Sequence, residues 1–226
     1  GKPVADIRID GAGKKVTRSD NCRVSDLSVS SDNLTFTYEA KSLPYPIDTS
    51  YYDNEKHTQA DALSVIPFMD EMNYEGLSVS GLSDGYYGLT IGGEFIGRFT
   101  ARELERGINM ALLQNTPQYK QAMKIRQMNE ERWLKERKMR EFYWVEYNLM
   151  RKTGMLWACN EAAVDTLRKY RPHDIFLQWN GDLWLQYMHK GIREDCVNEQ
   201  QDLVNRIYEQ NKPIPLRIEI KKFTDL

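Results

Sequence analysis

The chain has 226 residues, 41% of them hydrophobic, enough for one sizeable core or two small ones. Its 31 Lys and Arg against 33 Asp and Glu leave a formal net charge of -2, so no overall field gathers nucleic acid or an anionic membrane. The apolar runs are far shorter than the roughly 18 residues of a membrane-crossing helix, and no charged segment followed by an apolar one opens the sequence. Gly1 stands where an initiator Met would, as in a piece of a longer polypeptide, and any export signal is expected upstream.

From Lys2 to about Phe99 the apolar residues recur mainly with period two, which places alternate side chains on opposite faces of a strand. Ala5, Ile7 and Ile9 alternate before the turn at Gly11-Ala12-Gly13. Leu34, Phe36, Tyr38 and Ala40 alternate with Thr35 and Thr37 after Ser31-Asp32-Asn33. Leu77 and Val79 lead through Gly81 and Ser83-Asp84-Gly85 into Tyr87, Leu89 and Ile91, and Gly92-Gly93 turns the chain into Phe95, Gly97 and Phe99, which reads as a hairpin meander. Short strands punctuated this often predict a small sandwich or an open antiparallel sheet of five or six strands.

Between these strands, residues 43–73 carry Pro44, Pro46 and Pro67 and no sustained period, which predicts a long ordered loop with a helical turn through Gln59 to Val65. Such a loop either packs across a sheet edge or forms a ligand or domain-docking surface. On the second reading Tyr45, Tyr51, Tyr52 and His57 are the candidate contact residues, with Trp179 a further aromatic able to stack on a sugar.

After Phe99 the period changes to 3.6. Thr100 with Glu103 forms a capping box for a helix running towards Leu113, because hydroxyl and carboxylate each satisfy a free backbone donor. Thr116 and Pro117 open a long helix extending to Lys152, with two apolar faces and a central stretch, residues 130–140, laced by charged pairs at helical spacing. Asn160 caps a shorter helix ending before Pro172, and a further helix is predicted from about Asp182 through Ile207. Leu216, Ile218 and Ile220 alternate with charged residues in a strand over 214–222 that rejoins the sheet. The predicted fold class is α+β: a β-sandwich-like or antiparallel module over 1–99, joined by strand 214–222, and a bundle of long helices over 100–213.

The chemistry-bearing residues are sparse. There is no G-x-S-x-G elbow and no G-D-S block; Gly181-Asp182 is followed by Leu183, and Ser83-Asp84-Gly85 has the composition of a turn. His57, His173 and His189 lack the paired spacing that sets two imidazoles on one helix face, so no metal site or cofactor is expected. Gly11-Ala12-Gly13 and Gly92-Gly93 lack the helix and the Lys-Ser/Thr ending of a phosphate loop. Cys22, Cys159 and Cys196 are odd in number with no C-x-x-C pair, and are expected to be buried thiols. No catalytic residue is assigned.

Several blocks in order resemble the region that follows the catalytic domain in bacterial SGNH/GDSL-type hydrolases. They are Leu43-Pro44-Tyr45-Pro46-Ile47-Asp48, Gln59-Ala60-Asp61-Ala62-Leu63, Ile66-Pro67-Phe68-Met69-Asp70-Glu71-Met72-Asn73 and Leu77-Ser78-Val79-Ser80-Gly81-Leu82. Tyr87-Gly88-Leu89-Thr90-Ile91-Gly92-Gly93, Phe99-Thr100-Ala101-Arg102-Glu103-Leu104 and Gly107-Ile108-Asn109-Met110-Ala111 continue the series. In that family the nucleophile, the oxyanion hole and the D-x-x-H motif belong to the preceding domain. Asp53 and His57 stand three residues apart rather than two, and are not assigned as that dyad. The resemblance implies an accessory C-terminal domain docked in cis on an SGNH catalytic domain of a periplasmic or secreted esterase acting on acyl groups of carbohydrate. A free-standing carbohydrate-binding or protein-interaction module is the alternative.

Overall fold

A computed structural model describes residues 3–50 and 57–223. It is an α+β structure of two compact units, Gly1–Arg126 with Gln210–Leu226, and Gln127–Glu209. The period changes at residue 100, whereas the units divide inside the long helix. The residues just past 100 account for the difference, since Ala101, Leu104 and Met110 pack into the β core.

The first unit is a sandwich. Strands β1 (Ala5–Asp10), β2 (Lys15–Asp20), β3 (Cys22–Val29) and β4 (Asn33–Ala40) come first. A one-turn helix α1 (Phe68–Glu71) then precedes β5 (Glu75–Ser80), β6 (Tyr86–Ile91) and β7 (Glu94–Thr100). After helix α2 (Ala101–Arg106) and the two-residue β8 (Ile108–Asn109), the long helix α3 (Pro117–Val145) departs, and β9 (Leu216–Lys222) returns at the end. One sheet has the order β2-β1-β5-β8 and the other β3-β4-β9-β6-β7. All neighbours are antiparallel except β1 and β5, which run parallel in the register Ile7 to Leu77 and Ile9 to Val79. The expected meander is therefore corrected: β6 and β7 form a hairpin, but β5 lies in the opposite sheet.

The core lies between the sheets. Ile7, Ile9, Leu77 and Val79 from one meet Leu34, Phe36, Tyr38, Leu89, Ile91, Ile218 and Ile220 from the other, all at most 1% exposed. Each such aliphatic side chain removed from water contributes roughly 1.5–3 kcal/mol. Strands β2 and β3 escaped the sequence reading because they are edges of the two sheets, where polar side chains guard against stray pairing. Thr17, Arg18, Ser19 and Asp20 carry no apolar alternation. Asn21 makes the corner between them at φ 55, and its amide donates to Val4 O at 2.9 Å.

The capping box at Thr100 is formed: Glu103 N donates to Thr100 Oγ1 at 3.1 Å, and Thr100 N to Glu103 Oε2 at 2.7 Å. Helix α2 stops at Arg106 rather than running towards Leu113, because Gly107 at φ +95 takes a conformation that ends the helix. Helix α3 opens as expected, with Tyr119 N donating to Thr116 Oγ1 at 3.3 Å.

The second unit continues α3 through a π-helical turn at Glu146–Met150, then α4 (Glu161–Tyr170), α5 (Ile175–Tyr187) and α6 (Lys190–Gln210). The single helix expected from Asp182 is two. Asp174 Oδ1 caps α5, accepting from Phe176 N at 2.8 Å, and the chain breaks at Met188-His189. The core of this unit joins Met139, Phe142, Val145, Leu149 and Met150 to Ala163, Leu167, Leu177, Trp184, Tyr187 and Cys196. Arg132–Glu136 and Arg137–Glu141 are the expected pairs on the charged face of α3. Trp133 and Leu134, expected on a second buried face, are about half exposed at 45% and 49%.

Candidate functional site

The described parts of the loop, residues 43–50 and 57–73, are anchored without sheet pairing. Asn73 is buried and clamps Tyr45 by two bonds: its Oδ1 accepts from Tyr45 N at 2.7 Å, and its Nδ2 donates to Tyr45 O at 2.9 Å. Asn109 holds the return of the loop, donating to Met69 O at 2.9 Å while its Oδ1 accepts from Glu75 N at 2.9 Å. The Tyr119 hydroxyl at the start of α3 donates to Ile47 O at 2.5 Å. A small apolar cluster of Ile47, Met69 and Ala111, with Leu63 and Phe68 against it, fills the interior. These anchors give hydrogen-bond partners to the backbone of Tyr45, Ile47 and Met69, as a long loop away from a sheet requires.

The anchored loop leaves a groove of about 590 Å³. Tyr45, Ile47, Leu63, Ile66 and Phe68 supply apolar walls, with Tyr45 set edge to face against Phe68 at 5.7 Å. Arg126 and Asp48 form a charged rim, Arg126 Nη1 lying 2.6 Å from Asp48 Oδ2. The carboxyl of Asp48 is held down to about 2 by hydrogen bonds from Ser50, with further help from Arg126, so this rim keeps its charge through the neutral range. An apolar channel with one oriented ion pair suits an apolar segment carrying a carbonyl or carboxylate group.

The sequence candidates fare differently. Tyr45 is 48% exposed and lines the groove. His57 is exposed on the same loop beyond the groove lining. Tyr51 and Tyr52 lie outside the described residues. Trp179 is exposed on α5, edge to face with Phe176 at 5.6 Å, in a separate groove of about 570 Å³ with Trp133, Trp144 and Arg140. Arg126 escaped the sequence reading because it sits in a charge-rich helix, and its partner Asp48 comes from a distant loop. Ser83 takes part in turn chemistry, its carbonyl accepting from the Tyr87 hydroxyl at 2.9 Å, and Asp182 pairs with Arg171 at 2.6 Å. Among the described residues no three His, Cys, Asp or Glu side chains come together as a metal site, and no helix is long and apolar enough to cross a membrane.

Residues 123–212 match a family described as the diltiazem deacetylase C-terminal helical domain. The helical part of the chain is thus similar to a C-terminal domain, as the resemblance of the ordered sequence blocks implied. A solved structure, described as a gut microbial diltiazem-metabolizing enzyme, is similar over 99% of this chain at 35% identity, with a TM-score of 0.91. The chain spans about half of that protein, 50% of its length. No curated protein matches the chain.

Proposed function

We propose that this chain is the accessory C-terminal portion of an ester hydrolase, docked in cis on a catalytic domain of the SGNH type. The observation that carries the proposal is the similarity of nearly the whole chain, at 35% identity, to half of a longer enzyme. The description of the matching helical family names a deacetylase, and removal of an acetyl group from an oxygen is ester hydrolysis. The SGNH type rests on the ordered blocks from Leu43 to Ala111, and so do an exported location and acyl groups on carbohydrate as the substrate class.

On this reading the groove of Tyr45, Phe68 and Arg126 takes an apolar loop of the catalytic domain. The rigid anchors at Asn73 and Asn109 lower the ordering cost of that contact. The test is to express the preceding half and the 226-residue chain separately and to measure their association by calorimetry. Binding that falls about tenfold or more in Tyr45→Ala with Phe68→Ala is expected of residues forming an interface anchor. Tight association untouched by both changes would move the contact elsewhere, and no association at all would remove the accessory role.

A further inference from the structure

Cys159 and His189 bring a sulfur and an imidazole together on the helical unit. Cys159 stands one residue before the Asn160 cap of α4, and His189 occupies the break between α5 and α6. Cys159 Sγ lies 3.3 Å from His189 Nδ1, and both residues are exposed. The other two thiols are unlike it. Cys22 is buried in the sandwich core, where burial pushes its thiol up to about 11. Cys196 is buried among the helices with its Sγ towards Lys135 O at 3.7 Å.

Reaction of a thiol with a disulfide needs an accessible sulfur and a place for its proton. Only Cys159 among the three combines exposure with a ring nitrogen at hydrogen-bonding distance. We propose that Cys159 is a site of thiol–disulfide exchange with small disulfides, with His189 Nδ1 accepting the thiol proton as the sulfur attacks.

The step balances without a further oxidant. The Cys159 sulfur bonds to one sulfur of R–S–S–R as the original S–S bond breaks. The leaving sulfur carries off the electron pair and takes up the proton held by His189. One thiol and one disulfide become one mixed disulfide and one thiol.

Glutathione disulfide is the probe, with peptide mass spectrometry of the native 226-residue chain as the readout. One glutathionyl group is expected on the Cys159 peptide, with Cys22 and Cys196 unmodified. His189→Gln, which keeps a polar side chain but removes the base, should slow the adduct about tenfold near pH 7, a modest share of what a positioned base contributes. Lys190→Ala, which removes a neighbouring charge, should change the rate less than about twofold if the effect is the imidazole's and not that of general charge. As a second measurement, independent of how the histidine variant folds, Cys159 should react about tenfold faster than the exposed reference thiol of a Cys159→Ala, Lys169→Cys chain. Equal rates for Cys159 and the reference thiol, an unchanged rate in folded His189→Gln, or no adduct on native Cys159 would each overturn the proposal.

Discussion

The Tyr38 hydroxyl donates to Glu75 Oε1 at 2.8 Å, tying β4 of one sheet to β5 of the other through the centre of the sandwich. Glu75 is fully buried, and Gln118 Nε2 reaches both of its oxygens at 3.3 Å. Burial pushes this carboxyl up to about 7 against an ordinary 4.5, although the bonds from Tyr38 and Gln118 pull the other way. The native state therefore holds the Glu75 proton at pH values where the unfolded chain has released it.

Stability is predicted to fall as pH rises from 4.5 to about 7, the interval between the unfolded and folded values. The native state binds more protons there, so the slope is negative, and the integrated loss is about 3 kcal/mol for this one group. Glu75→Gln keeps the shape and an acceptor for Tyr38. Its amide can donate to Gln118 Oε1, a buried oxygen otherwise without a hydrogen-bond partner among the described residues. The variant should be less stable relative to wild type near pH 4.5 than near pH 8, where it should be the more stable chain. Urea unfolding at both pH values gives the comparison, and parallel profiles would show that Glu75 does not titrate in this range.

Tyr38→Phe removes the donor and leaves one buried carboxylate oxygen to Gln118 alone. A loss of about 1–3 kcal/mol is expected, larger at pH 8 than at pH 5, because the charged form depends on the bond more than the neutral one. A loss independent of pH would assign the effect to packing.

Glu146 performs a comparable task in the helical unit, at 1% exposure within the π-helical turn. Its Oε1 accepts from Trp184 Nε1 at 2.8 Å and its Oε2 from Trp157 N at 2.9 Å. Glu146→Gln sets an N–H against one of two donors, so a loss of about 1–3 kcal/mol is expected, with a change in tryptophan emission from Trp184. Unchanged urea midpoint and emission would contradict the assignment.

Thr100→Ala removes the hydroxyl that accepts from Glu103 N, and should lower stability by about 1 kcal/mol. Thermal melts of the chain and of Thr100→Ser, which retains the hydroxyl, provide the check: the serine variant should recover most of the loss.

What the sequence made legible follows the physics of each element. Ile7 and Ile9, Phe36 and Tyr38, and Ile218 and Ile220 alternate because one face of each strand is buried, and that signal survives in a single sequence. Lys15–Asp20 at a sheet edge buries almost nothing, and its polar alternation matches that of a turn-rich loop. The break at Met188-His189 was hidden because Leu185, Met188 and Ile192 keep helical spacing across it, with no Pro to mark it. Asp174, by contrast, is a cap residue type in the position that opens α5. Cys159 was expected to be buried and is exposed; a lone thiol beside a capping Asn carries no burial signal.

The candidate site was half legible. The prolines and Tyr45 marked the loop, but the groove depends on Asn73, Asn109 and Tyr119, whose bonds join segments far apart in the chain. Glu75 illustrates the same limit. Nothing in Tyr74-Glu75-Gly76 announces that this carboxyl is shut between two sheets, since its surroundings are set by Tyr38 and Gln118.

On the function proposed above, this chain supports ester hydrolysis performed by another part of the same polypeptide. The direct measurement is the release of acetate from a chromogenic acetyl ester by the purified 226-residue chain, set beside the longer polypeptide that includes the preceding half. Turnover is expected of the longer polypeptide, and only the uncatalysed rate of the chain alone. Saturable hydrolysis by the chain itself, lost on changing one of its own nucleophilic side chains, would contradict it.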